Sequence, residues 1–64
     1  MKLIVSSEEC RIFDHSPATV EQILAEQGIN PLEVIVSRNG KLIPEDTIVG
    51  ADDEIRVTRI AHGG

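Results

Sequence analysis

One helix signal, with strand signals on both sides of it, most limits the folds open to this chain. The segment from Thr19 to Gln22 matches a capping box, which predicts Thr19 as the N-cap and Gln22 reaching back to it. The stripe that would face a core is formed by Val20, Ile23 and Leu24. Gly28 is expected just past the helix end, and Pro31 prevents the helix from resuming. Because one helix covers only one face of a sheet, the strands are expected to share that sheet.

Strand signals lie at both ends of the chain. The predicted strands are Lys2 to Ser6, Cys10 to Asp14, Val34 to Val36, Lys41 to Ile43 and Glu54 to Ile60. The dipeptide Asn39-Gly40 is typical of a two-residue hairpin turn. The order β-β-α-β-β-β predicts an α+β fold of the β-grasp type. Its mixed sheet of four to five strands would carry the helix on one face, with the last strand central and parallel to the first.

Alternation along these strands assigns side chains to the two faces of the sheet. The residues predicted to face the helix are Leu3, Val5, Cys10, Ile12, Ile55 and Val57. The outward residues Ile4, Phe13, Ile35 and Thr58 are expected to form an exposed, largely apolar patch, of the kind that often marks partner docking.

Size and composition exclude several classes of function. Sixty-four residues make one domain and leave no room for both a core and a deep catalytic pocket, so we expect no enzyme activity. Eleven acidic against six basic residues give a net charge of −5, which disfavours direct nucleic-acid binding and favours a partner with a basic face. The single cysteine, the lack of a long apolar run and the lack of a signal-peptide pattern predict a cytoplasmic monomer without a membrane segment.

The sequence closes with Gly63-Gly64. Glycine has no Cβ, so a Gly-Gly tail can pass through a narrow enzyme channel and present its carboxylate for reaction. The alternative is an ordinary floppy end. We expect residues 1–60 to form the folded domain and residues 61–64 to form a flexible tail.

Three segments resemble the small ubiquitin-like sulfur carriers, a group that includes the thiamine-pathway carrier ThiS and the molybdopterin-pathway carrier MoaD. The stretch from Val36 to Pro44 resembles their V-x-x-N-G-x-x-V-P segment, and Asp52 to Val57 resembles their G-D-x-V/I-x-V/I segment. Gly63-Gly64 resembles their C-terminal pair. The run from Pro31 to Gly64 looks closest to small archaeal modifier proteins and to the carriers for tRNA 2-thiouridine. Ala51-Asp52-Asp53 departs from the usual Gly-Asp turn.

This resemblance implies a role for the chain as a substrate. An E1-like enzyme would use ATP to adenylate Gly64, with Gly63 as a spacer, and a persulfide from a sulfurtransferase or cysteine desulfurase would leave a thiocarboxylate on it. The sulfur would pass to an acceptor enzyme in tRNA thiolation, molybdopterin synthesis or thiamine synthesis. The alternatives are a modifier joined through Gly64 to lysines of target proteins, and an unreactive β-grasp interaction domain. The chain itself is expected to bind no cofactor.

A few other side chains are weaker candidates. Arg56 and Arg59 flank the tail and His62 lies within it, so all three are expected to contact the activating enzyme. Cys10 is expected to be a buried, inert residue rather than a nucleophile. His15 and His62 lack metal-ligand spacing.

Overall fold

The fold consists of strands that precede and follow an α-helix along the chain. The computed structural model describes residues 1–6 and 9–60. In chain order the elements are β1 (Lys2–Val5), β2 (Glu9–Ile12), β3 (Ala18–Thr19), α1 (Val20–Glu26), a 3-10 helix (Pro31–Glu33), β4 (Val34–Arg38), β5 (Lys41–Leu42), β6 (Ile48–Val49) and β7 (Glu54–Arg59).

The main sheet has five strands in the order β2-β1-β7-β4-β5. Strand β7 is central, parallel to β1 and antiparallel to β4. This arrangement confirms the predicted β-grasp fold. A second sheet of two strands, formed by β3 and β6, was not predicted, because each strand has only two residues and shows no periodicity.

The helix begins and ends where its sequence signals indicate. The Thr19 hydroxyl accepts a hydrogen bond from the Gln22 N–H at 3.2 Å, which is the N-terminal half of a capping box. Gly28 has a φ of +75°, a left-handed conformation that favours glycine. Just beyond it, the Ile29 N–H donates to the Leu24 carbonyl at 2.8 Å, and the Ile29 side chain is buried.

The core lies between α1 and one face of the five-stranded sheet. Its fully buried side chains are Leu3, Val20, Ile23, Leu24, Val49, Ile55 and Val57. Leu3 and Val5 on β1, with Ile55 and Val57 on β7, face the helix as predicted. Asn39 and Gly40 both have positive φ, +55° and +78°, so the hairpin between β4 and β5 also turns as predicted.

The facing predicted for β2 is wrong. Lys2 pairs with Ile12 and Ile4 with Cys10, a register one residue away from the expected one, and such a slip turns every side chain to the other face. Cys10 is therefore exposed rather than buried, and Ile12 is 78% exposed. Phe13, predicted to point outward, packs partly buried against the core.

Backbone pairing beyond the strand explains this register. Met1 and Phe13 exchange hydrogen bonds, with the Phe13 N–H donating to the Met1 carbonyl at 3.0 Å and the Met1 amino group donating to the Phe13 carbonyl at 2.7 Å. The exchange places Phe13 beside the core. Arg11, on the same side of β2, donates to the Gln27 carbonyl at the helix end at 3.1 Å.

Candidate functional site

The sheet face opposite the helix, which we call the open face, is built by residues of β1, β7 and β4 and of both edge strands. Cross-strand pairing aligns one row of side chains across all five strands, and this row consists of Cys10, Ile4, Arg56, Ser37 and Leu42. Thr58 and Ile35 form the next pair, and both are exposed. The open face is thus an apolar surface with a guanidinium near its centre.

Arg56 is a cation of this face with no ion-pair partner among the described residues. Lys2, on the same face, pairs across the strands with Glu54 at 3.5 Å. Arg38 lies opposite Ile55 on the helix side and pairs with Asp53 at 3.6 Å. Within residues 1–6 and 9–60, Arg56 has no ion-pair partner, and its neighbours across the sheet are Ile4 and Ser37. Arg56 can therefore meet a carboxylate of a partner without first breaking an ion pair with any residue that the structure describes.

The structure brings together some of the residues expected in the docking patch. Ile4, Ile35 and Thr58 share the open face, with Ile35 44% exposed and Ile4 half-buried. Arg56, expected as a partner contact beside the tail, lies on the same face. Phe13 does not belong to the patch, because it follows β2 and packs against the core on the helix side of the sheet. The other expected partner contacts lie elsewhere: Arg59 pairs with buried Val34 on the helix side of the sheet, and His62, Gly63 and Gly64 lie outside the described residues.

Sequence reasoning did not place several members of the open face there. Leu42 is 71% exposed and lies beside Ser37, while Ile12 and Cys10 extend the face to the other edge. The exposure of Leu42 could have been predicted from Asn39-Gly40. A two-residue turn pairs Arg38 with Lys41, and the next pair, Ser37 with Leu42, then lies on the open face. No comparable turn signal precedes Cys10 and Ile12.

Two charged pairs lie on the helix side of β2 and of the segment after it, and one of them, His15–Glu26, reaches the end of the helix. His15 lies with Nδ1 2.6 Å from the Ser16 carbonyl oxygen and Nε2 3.1 Å from a Glu26 carboxylate oxygen, and these contacts raise the pKa of His15. The hydrogen bond from Arg11 lowers the pKa of Glu9, and the charges of Arg11 and Arg59 add to this effect. Both pairs lie on the side of the sheet away from the open face.

The described residues offer no other obvious chemistry. In residues 1–6 and 9–60, no three His, Cys, Asp or Glu side chains come close enough to hold a metal ion. In the same part of the chain, no helix is both long and apolar enough to cross a membrane. Asp53 instead closes a turn, where its carboxylate accepts from the Gly50 N–H at 2.6 Å.

The central strand leads toward the glycine pair. Strand β7 ends at Arg59, and the next residue, Ile60, donates its N–H to the Glu33 carbonyl at 2.9 Å. Residues 61–64, which include the glycines, follow directly. A protein-family model described as small archaeal modifier protein 2 matches residues 2–61 of this chain.

The chain belongs to this family. Small archaeal modifier proteins are ubiquitin-like, in agreement with the β-grasp fold, and they form a class of modifiers and sulfur carriers. Membership implies an E1-like activating enzyme and target molecules as partners. The match ends before Gly63 and Gly64. No curated protein matches the chain significantly.

Proposed function

We propose that this small archaeal modifier protein is a sulfur carrier whose Gly64 carboxylate is activated by an E1-like enzyme. The observation that carries the proposal is the continuity of the chain from the central strand β7, through residues 60–62, to a glycine pair in a protein of this family. A strand held on both sides by neighbours gives the following residues a fixed starting point. The glycines add no side chain that an enzyme channel must accommodate.

The proposed chemistry happens on the partner enzyme, at the carbon of the Gly64 carboxylate. The carboxylate attacks the α-phosphate of ATP, pyrophosphate leaves, and an acyl adenylate forms. A persulfide supplied by a sulfurtransferase or cysteine desulfurase then attacks the acyl carbon and expels AMP, which gives an acyl disulfide. A second thiolate then attacks the cysteine sulfur of that S–S bond, the one not bonded to the acyl carbon. The S–S bond breaks, the chain leaves as a thiocarboxylate, and the attacking thiolate and the cysteine sulfur form a disulfide. No side chain of this protein acts as an acid or base, and the chain is not itself an enzyme.

The open face is the proposed docking surface for the activating enzyme. Ile35, Thr58 and Leu42 supply exposed surface there, and Arg56 supplies a charge that is unpaired within the described residues. Apolar contacts around an arginine are typical of the residues that dominate binding energy at protein interfaces. The net charge of −5 favours an enzyme surface that is basic elsewhere around the contact.

The second candidate function is conjugation of Gly64 to lysine amines of target proteins. The observation that favours it is the matched family itself, which is described as a modifier protein. The two functions share the adenylate and differ in the nucleophile that attacks it. Conjugation releases AMP and forms an isopeptide bond, whereas sulfur transfer leaves the chain unattached.

Adenylation tests the step that both functions share. Deletion of Gly64, or Gly64→Ala, is expected to abolish ATP–pyrophosphate exchange by the E1-like enzyme while the circular-dichroism spectrum and unfolding midpoint stay unchanged. Gly50→Ala is the matched control, because Gly50 lies in a turn where an added Cβ would meet only ordinary contacts at 4.0 Å. Normal exchange with either Gly64 variant would contradict the proposal.

Docking is tested with two substitutions on the open face and one control substitution away from it. Ile35→Asp and, separately, Arg56→Glu are expected to weaken binding to the E1-like enzyme at least about tenfold, a loss typical of hot-spot residues. Ile48→Asp is the control, since Ile48 is 59% exposed but lies on β6, outside the five-stranded sheet. If titration calorimetry gave the folded Ile35→Asp and Arg56→Glu variants the same affinity for the enzyme as the native chain and the control, the open face would not be the docking surface.

A further inference from the structure

The outer edge of β4 borders an apolar groove that adjoins the open face at Ile35 and Leu42. The groove has a volume of about 430 Å³ and runs between the end of α1, the 3-10 helix and the segment after β5. Its walls include Leu24, Pro31, Val34, Leu42, Ile43 and Pro44, and Glu45 lies at its border. Its position at the sheet edge separates it from the centre of the open face.

The groove exists because β5 is short. Strand β5 pairs with β4 only through Lys41 and Leu42, and one more hydrogen bond follows, from the Ile43 N–H to the Val36 carbonyl at 2.9 Å. Pro44 comes next and has no N–H to donate, so the hairpin cannot continue along β4. The first half of β4 is left without a neighbour on this side.

The phase of the β4–β7 ladder shows which backbone groups face the groove. The bond from the Ile60 N–H to the Glu33 carbonyl starts an antiparallel ladder in which alternate residues bond to β7. Val34 and Val36 alternate with these bonded residues along β4, so their backbone N–H and carbonyl groups point away from β7. In the part of the chain that the structure describes, the Val34 carbonyl and the Val36 N–H have no hydrogen-bond partner.

This pair of groups has the spacing that a parallel guest strand needs. In a parallel ladder, the carbonyl of one residue and the N–H of the second residue after it bond to the same residue of the neighbouring strand. The Val34 carbonyl and the Val36 N–H have this spacing. Strand addition at such an edge draws affinity from main-chain bonds and specificity from pockets for side chains.

We propose that this groove binds an extended segment of a partner protein, which adds to β4 as a parallel edge strand. The segment presents apolar side chains to the wall formed by Leu24 and Ile43. It carries a lysine or arginine beside Glu45, because Glu45 is exposed at the groove border and the chain has a net charge of −5. A second copy of this chain is a poor occupant, since two acidic molecules repel each other. The inference does not depend on activation of Gly64.

A defined peptide series tests the proposal on the full chain by NMR. The probe is the acetylated, amidated peptide Lys-Val-Ser-Val-Ser-Val-Lys, titrated to about 1 mM, which covers the weakest affinities of recognition segments. The expected result is chemical-shift change at the amides of Val34, Val36 and Ile43. The same peptide N-methylated at its central valine cannot donate to the Val34 carbonyl and is expected to bind about tenfold more weakly, the value of one lost hydrogen bond.

Charge exchange provides the second arm. Replacing both lysines of the peptide by glutamate is expected to weaken binding about twofold to fivefold, and Glu45→Lys in the protein is expected to reverse this preference. The side chain of Glu45 is exposed, and only its backbone carbonyl bonds to α1, at the Glu21 N–H, so the variant keeps the fold.

Four results would overturn the inference. They are no shift change at the highest peptide concentration, equal binding of the N-methylated peptide, shifts centred on Ile4 and Arg56 of the open face, and concentration-dependent shifts at the groove amides without peptide. The last result would assign the groove to contacts between copies of the chain.

Discussion

At the scale of single residues, the protonation of His15 links the stability of the fold to pH. Both ring nitrogens face acceptors, the Ser16 carbonyl at 2.6 Å and the Glu26 carboxylate at 3.1 Å and 3.2 Å. A neutral imidazole has only one N–H, so both contacts become hydrogen bonds only when the ring is protonated. The Ser16 carbonyl contributes most to raising the pKa of His15 above its ordinary value of 6.5, followed by Glu26.

This raised pKa predicts a pH dependence of stability with a definite sign. A group whose pKa is higher in the folded state stabilises the fold fully below its unfolded pKa, and this stabilisation is lost as the pH rises through the folded pKa. The free energy of unfolding of the native chain, minus that of His15→Gln, is therefore expected to be larger at about pH 5.5 than at about pH 9. Urea unfolding of both proteins at the two pH values measures this difference in free energy.

Glu26→Gln gives the matched control for this prediction. It removes the carboxylate and keeps a side chain of similar size, so the pKa of His15 measured by NMR is expected to fall toward 6.5. A pKa of His15 at or below 6.5 in the native chain, or a stability difference that grows with pH, would contradict the assignment.

At the scale of elements, local signals predict an element well when its own residues fix its register. Strand β7 alternates cleanly, so Ile55 and Val57 were placed in the core and Arg56 and Thr58 on the open face from the sequence alone. Asn39-Gly40 determines both the turn and the pairing of β5. The helix has a cap at each end, and its bounds follow from them.

Strand β2 has no such signal, and its facing could not be derived locally. Cys10, Ile12 and Phe13 are all apolar but do not alternate, so either facing of the strand buries some of them. The facing is set by Met1, which lies outside β1 and exchanges backbone hydrogen bonds with Phe13. Likewise, β3 and β6 depend on each other and not on periodicity within either strand.

Two alanine substitutions test the register of β2. Ile12→Ala is expected to change the free energy of unfolding by less than about 0.5 kcal/mol, because the side chain is 78% exposed. Phe13→Ala is expected to cost about 2 kcal/mol or more, since the ring packs against the core. The register first expected from the sequence gives the reverse order, so equilibrium unfolding of the two variants distinguishes the two registers.

At the scale of the whole molecule, the two faces of the five-stranded sheet have different roles. One face packs on the helix and contains the core. The other presents Thr58 and Arg56 of the central strand β7, and Ile35 of the neighbouring strand β4. The sequence predicted Ile35 and Thr58 in one patch and Arg56 as a separate partner contact beside the tail. It missed Leu42 because the consequence of the hairpin register was not followed across the sheet. The edge groove was beyond sequence reasoning, since it depends on elements that are distant in the chain.

The intact mass of the protein isolated from its native cells tests the central claim most directly. Sulfur transfer through Gly64 predicts a fraction of the chain heavier by the exchange of one oxygen for one sulfur, with fragmentation placing the change on Gly64. Blocking the thiocarboxylate with a thiol-alkylating reagent, in the native chain and in Cys10→Ser, separates it from persulfidation of Cys10. An unmodified mass, together with higher-mass conjugates that leave Gly-Gly on target lysines, would contradict the sulfur-carrier account and support the modifier.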